Sequence, residues 1–92
     1  MDYELKEVEV VAFQDPDEHQ IAVVLINYSD QEDKMVRLKN PDGKEVPSIR
    51  KVIQTDTPKD SWYRELKNID PFVGLLLPEM SVTTVYFKFK TN

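Results

Sequence analysis

The chain reads as an all-β domain, an antiparallel β-sandwich of the immunoglobulin-like or Greek-key type. Three observations predict it. Five or six short runs rich in Val, Ile, Thr and aromatic residues recur at intervals of about ten residues. Pro, Gly, Asp and Asn cluster between the runs, where turns are needed. No segment carries a helical periodicity long enough to stand by itself. A five-stranded barrel is the structural alternative.

The first element is Val8-Glu9-Val10-Val11-Ala12-Phe13, a strand that could reach back to Tyr3. Asp15-Pro16-Asp17-Glu18-His19 then makes a polar connection. Gln20 to Tyr28 is apolar on both alternating sets, which predicts a strand covered on both faces or lying at the centre of its sheet. Ser29 to Asp33 turns the chain. Lys34 to Lys39 alternates, with Val36 and Leu38 inward and Arg37 and Lys39 outward.

Asn40-Pro41-Asp42-Gly43 is a turn, since Pro presets φ and Gly accepts a positive φ. Val46 to Thr55 is the next strand, with Ile49, Lys51 and Ile53 on one set and Arg50, Val52 and Gln54 on the other. Pro47 places an edge or a bulge at its start. Asp56 to Pro71 lacks alternation, and Ser61 to Lys67 is expected to form a helical turn capped by Asp60 or Ser61. Near the C-terminus, Gly74 to Leu77 and Ser81 to Phe87 read as two strands joined by a short turn that Pro78 opens. In the second of these, Thr83, Val85, Phe87 and Phe89 share one face and Val82, Thr84, Tyr86 and Lys88 the other.

Ninety-two residues make one domain, which buries roughly 60–65% of its unfolded surface and has room for one core. The net charge of −5 argues against a nucleic-acid phosphate backbone or an anionic membrane as partner, because both would repel it. With no Cys there is no disulfide framework and no thiol nucleophile. No apolar run is long enough to span a bilayer, and the acidic start Met1-Asp2-Tyr3-Glu4 is unlike a signal peptide.

Few residues carry chemistry. Asp15, Asp17 and Glu18 in one turn and Asp30, Glu32 and Asp33 in another read as solvated acids, not as the carboxylate pair of a glycosidase. The same loops could offer oxygens to Ca²⁺, but the EF-hand spacing is missing, and neither a metal nor another cofactor is expected. His19 reads as an exposed loop residue with no nearby nucleophile to activate. Asn27-Tyr28-Ser29 fits a glycosylation triplet, yet it ends a buried strand, and Asn27 is read as a hydrogen-bonding strand end. Trp62 and Tyr63, with Arg64 beside them, are the candidate carbohydrate-binding set, because flat aromatic faces next to hydrogen-bonding groups suit sugars. The competing reading has the rings covering an open end of the sandwich or packing against a second domain.

Leu77-Pro78-Glu79-Met80-Ser81-Val82-Thr83-Thr84 resembles the closing hairpin of the C-terminal β-sandwich in glycoside hydrolase family 30, which includes glucosylceramidase-like, β-1,6-glucanase, β-1,6-galactanase and xylanase-type enzymes. Val10-Val11-Ala12-Phe13-Gln14-Asp15-Pro16-Asp17 and Ile21 to Asp30 resemble the paired strands of that domain. Thr55 stands where the next strand of the family ends, so the likeness runs in register from about residue 8 to residue 87. It implies that residues 1–92 are the side domain of a larger glycoside hydrolase, with no catalytic residue of their own, since the catalytic carboxylates of that family sit on a (β/α)₈ barrel. It further implies that barrel as partner, an extracellular or periplasmic location, and an edge left open for a strand supplied by the parent enzyme. A non-catalytic accessory domain is therefore expected, and it should carry an exposed apolar patch or an open edge. The alternative is a carbohydrate-binding module contacting polysaccharide through Trp62 and Tyr63, for which coplanar exposed rings are expected. A free-standing small enzyme finds no supporting set of residues.

Overall fold

Among the described residues seven strands form two antiparallel layers. The structure is a computed structural model that describes residues 7–15, 20–39 and 46–90. The larger layer has five strands in the order β1 (Val8–Asp15), β2 (Gln20–Asn27), β7 (Ser81–Lys90), β4 (Val46–Asp56), β5 (Ser61–Leu66). The smaller pairs β3 (Lys34–Val36) with β6 (Leu75–Leu77). Among the described residues the only helical element is a 3₁₀ turn at Thr57–Lys59, so the expected all-β sandwich is what forms.

The core lies between the layers. Val23, Leu25, Val52, Val85 and Phe87 meet Val36, Leu75 and Leu77 of the smaller sheet. The register sorts this face into rows. Ile21, Phe87 and Ile49 stand side by side, then Val23, Val85, Val52 and Leu66. The next rows turn polar: Leu25, Thr83, Gln54 and Arg64, then Asn27, Ser81, Asp56 and Ser61. The sandwich is thus apolar at one end and hydrogen-bonded at the other. Phe72 closes the apolar end edge-on to Phe87, with ring centroids 5.4 Å apart.

Several expectations change. β2 is neither central nor covered on both faces: it lies second in the sheet, with Ala22, Val24 and Ile26 only partly buried on the outer side. β7 takes the centre, and its odd residues Thr83, Val85 and Phe87 are buried as the alternation predicts. Leu75–Leu77 and Ser81–Lys90 are both strands, but they do not pair with each other: Pro78, Glu79 and Met80 carry the chain from one layer to the other. The segment is an arch, not a hairpin. Met80, with φ 54°, makes the reversal.

In β4 the register slips between Ile49 and Lys51, so Arg50 is an extra residue and Ile49 and Val52 end on the same side. The two alternating sets read from the sequence therefore exchange faces midway. Pro47 sits where β4 pairs with β7 alone, a local edge that needs no second ladder. The ladder of β3 stops at Val36, although Leu38 still packs inward and Arg37 and Lys39 point out. The helical turn expected at Ser61–Lys67 is instead strand β5. The possible extension to Tyr3, the Pro16–His19 turn and the turn Asn40–Gly43 lie outside the described residues.

Among the described residues two strands cover five. β6 lies over β2 and β7, so no described element lies above Val10 and Ala12 on the core side of β1, and both are exposed. On the outer side Val11 and Phe13 are 42% and 57% exposed. Among the described residues β1 is an edge strand exposed on both faces from Glu9 to Gln14, while Val8 packs against the core.

Candidate functional site

The 3₁₀ turn after β4 is closed by Asp60 in the left-handed region (φ 54°), whose N–H donates to the Thr57 carbonyl at 3.0 Å. The chain then returns along β4 as β5, the other edge of the large sheet. Asp56 pairs with Ser61 and Gln54 with Arg64, so the single residue Thr55 faces two, Trp62 and Tyr63. This is a β-bulge on an edge strand, a device that re-aims side chains.

Tyr63 absorbs the extra residue with φ 52°. A left-handed conformation is unfavourable for an aromatic residue, by about 1–3 kcal/mol. Thr55 fixes it: the Tyr63 N–H leaves the regular ladder and donates to Thr55 Oγ1 at 2.9 Å. Neighbours in a regular strand point to opposite faces. Here the bulge brings the Trp62 and Tyr63 rings together, with centroids 6.4 Å apart and planes inclined by 46°. Trp62 Nε1 donates to Asp60 Oδ1 at 2.7 Å, which fixes the indole. The rings remain 57% and 77% exposed.

Both aromatic residues of the sequence-predicted set are thus at the surface and adjacent, and neither covers an end of the sandwich. They are tilted, not coplanar. Arg64 is exposed but stands opposite Gln54 on the side of the sheet that faces the smaller layer, and among the described residues it makes no side-chain hydrogen bond, ion pair or cation–π contact. Glu65, the next residue, pairs with Lys67 at 2.8 Å, and the lysine ammonium holds its carboxyl below the usual glutamate range. No sequence signal announced the bulge, because Ser61 to Lys67 shows neither strand nor helix periodicity.

A polar cleft of about 270 Å³ opens at the hydrogen-bonded end of the sandwich, lined by Gln31, Asp33, Asp56, Lys59 and Glu79 with Pro58 and Pro78. Its acids have structural duties: Asp33 Oδ1 accepts the Glu79 N–H at 3.0 Å, and Asp56 faces Lys59 at 4.0 Å. Among the described residues no three His, Cys, Asp or Glu side chains converge as a metal site. Asp30 is exposed, and Glu32 is paired with Lys34 at 2.8 Å. Asp17, Glu18 and His19 lie outside the described residues.

Asn27 is fully buried and ties the layers together. Its amide donates to the carbonyls of Glu32, Leu77 and Pro78, and its oxygen accepts the Ser29 N–H. That is the strand-end hydrogen-bonding role read from the sequence. No helix among the described residues is long and apolar enough to cross a membrane. No family model, curated protein or solved structure matches the chain.

Proposed function

We propose that this chain is the non-catalytic side domain of a glycoside hydrolase resembling family 30, with the β1 side of the sandwich seated on the catalytic (β/α)₈ barrel. The observation that carries the reading is β1 itself: an eight-residue edge strand with Val10 on one face and Val11 and Phe13 on the other, all exposed. An apolar edge exposed on both faces over most of its length is an aggregation hazard in a domain that works alone and an ordinary interface in one that does not. The outer face continues the patch through Ala22, Val24 and Ile26, all partly buried, to Val82 on β7, which is exposed.

The sequence likeness supplies the kind of partner, and the uncovered side of β1 suits the strand that the parent enzyme would contribute. In this reading the chain works outside the cytoplasm, extracellular or periplasmic, as part of a carbohydrate-degrading enzyme, and substrate chemistry belongs to the barrel. The test is reconstitution. The chain is added to family-30 barrels of glucosylceramidase, β-1,6-glucanase and xylanase type from which their own side sandwich has been deleted. At least one barrel should gain thermal stability at saturating chain, and Phe13→Glu should abolish the gain without unfolding the sandwich. No gain with any barrel, or a gain indifferent to Phe13→Glu, overturns the reading.

A further inference from the structure

We propose that Trp62 and Tyr63 form a contact site for a single soluble glycan chain, with Asp60 as its flanking hydrogen-bonding group. The inference goes beyond the side-domain reading and does not rest on it. β1 and β5 are opposite edges of the five-stranded sheet, separated by four inter-strand steps of about 4.8 Å, or roughly 19 Å.

A pyranose ring offers a C–H face that packs on an aromatic ring and a rim of hydroxyls that need partners. The site supplies both. Trp62 and Tyr63 present their rings at the surface. Asp60 holds the indole N–H through Oδ1 and keeps acceptor capacity on its second oxygen. That hydrogen bond orients the indole before any ligand arrives, which lowers the ordering entropy of binding.

The inclination of the rings selects among glycans. Two faces at 46° cannot both lie flat on the plane of a crystalline polymer, whereas consecutive units of a free chain turn relative to one another and can meet both. Area argues against a protein partner. Two aromatic side chains supply roughly 300–500 Å² at most, and the residues around them, Lys59, Asp60, Ser61, Arg64 and Glu65, are all polar or charged. A standard protein interface needs about 800 Å² a side.

The experiment is calorimetric titration of the folded chain with soluble β-linked gluco-, galacto- and xylo-oligosaccharides, run beside a pull-down on insoluble cellulose. At least one soluble series should bind saturably with millimolar Kd, and Trp62, the chain's only tryptophan, should report it by fluorescence. Trp62→Ala and Tyr63→Gly should each weaken binding at least tenfold while the thermal transition stays cooperative, and Tyr63→Phe should retain it. Three results would overturn the proposal: no saturable binding in any series, binding unaffected by Trp62→Ala, or retention on cellulose without soluble binding. Protection of the two rings by a catalytic barrel alone would also overturn it and assign them to an interdomain contact.

Discussion

The side-chain amide of Asn27 donates to the main-chain carbonyl of Leu77 at 2.9 Å, joining β2 in one layer to β6 in the other across fifty residues of chain. The same nitrogen lies 3.1 Å from the Pro78 oxygen and 3.0 Å from that of Glu32, so its two hydrogens serve three carbonyls. Asn27→Ala would strand these acceptors and the Ser29 N–H in the interior. A loss of about 3 kcal/mol or more is expected, read as a shift in the urea midpoint at unchanged m-value. Asn27→Asp should be no milder, because a carboxylate has no hydrogen to give them. A loss below about 1 kcal/mol would show that the layers are held by apolar packing alone.

Beside Asn27 the sign reverses. Ser81 pairs with Asn27 on one side and Asp56 on the other, and both Ser81 Oγ and Asp56 Oδ1 are buried without a hydrogen-bond partner. Ser81→Ala removes an unsatisfied group and leaves the backbone ladder intact, so stability should stay level or rise by up to about 1 kcal/mol. Thr83→Val, one row away, removes a hydroxyl that accepts from Gln54 Nε2 at 3.0 Å and should lower stability by about 1 kcal/mol. Equal losses in the two variants would mean that the Ser81 hydroxyl is satisfied in solution.

How much of this was legible in the sequence depended on whether a residue's neighbours in space were also its neighbours in the pattern. β7 was read correctly from Ser81 to Phe87 because its alternation runs unbroken there and the odd residues Ser81, Thr83, Val85 and Phe87 are all buried. The pairing partner of Leu75–Leu77 was not, since a short turn permits a hairpin and an arch alike, and only β3, some forty residues earlier, decides between them. Two bulges hid the faces: at Arg50 one extra residue moves every later side chain to the other face, and at Trp62–Tyr63 the strand showed no alternation to read. Trp62, Tyr63 and Arg64 were singled out by residue type, but their exposure and tilt come from Tyr63 entering a conformation that sequence gives no reason to expect of an aromatic. The cleft between Asp33, Asp56 and Glu79 was equally invisible, being assembled from three separate connections.

The exposed ion pairs give a pH signature. Lys34 donates to Glu32 at 2.8 Å, holding that carboxyl below its ordinary range and its own ammonium above the lysine range. Lys67 depresses Glu65 in the same way. A carboxylate whose folded pKa is depressed contributes stability above its unfolded pKa and loses it as pH falls through the folded value. The raised Lys34 contributes below its unfolded pKa and loses that contribution as pH rises through its folded value. Both therefore hold across neutral pH. In an NMR titration the Glu32 and Glu65 carboxyls should move back toward the ordinary value in about 1 M salt, where the Debye length falls to about 3 Å. Lys34→Met should return Glu32 alone, and an unmoved Glu32 would mean that the pair does not form in solution.

Tyr63 separates backbone from side chain. At φ 52° any residue with a Cβ is strained, while glycine is not. Tyr63→Gly should therefore be more stable than Tyr63→Ala by about 1 kcal/mol, the reverse of the ordinary order inside a strand. Because the ring is 77% exposed, its removal gives up little buried surface, so Tyr63→Gly should match or exceed the parent chain in thermal denaturation. If Tyr63→Ala proves the more stable of the two, the bulge relaxes in solution and Tyr63 is not held in the left-handed region. If glycine wins, Tyr63 is a position where a conformational penalty accompanies an outward-facing ring that the fold itself barely uses. That combination is expected where a side chain is aimed at something beyond its own chain, and it ties the backbone of one residue to the glycan contact proposed for its ring.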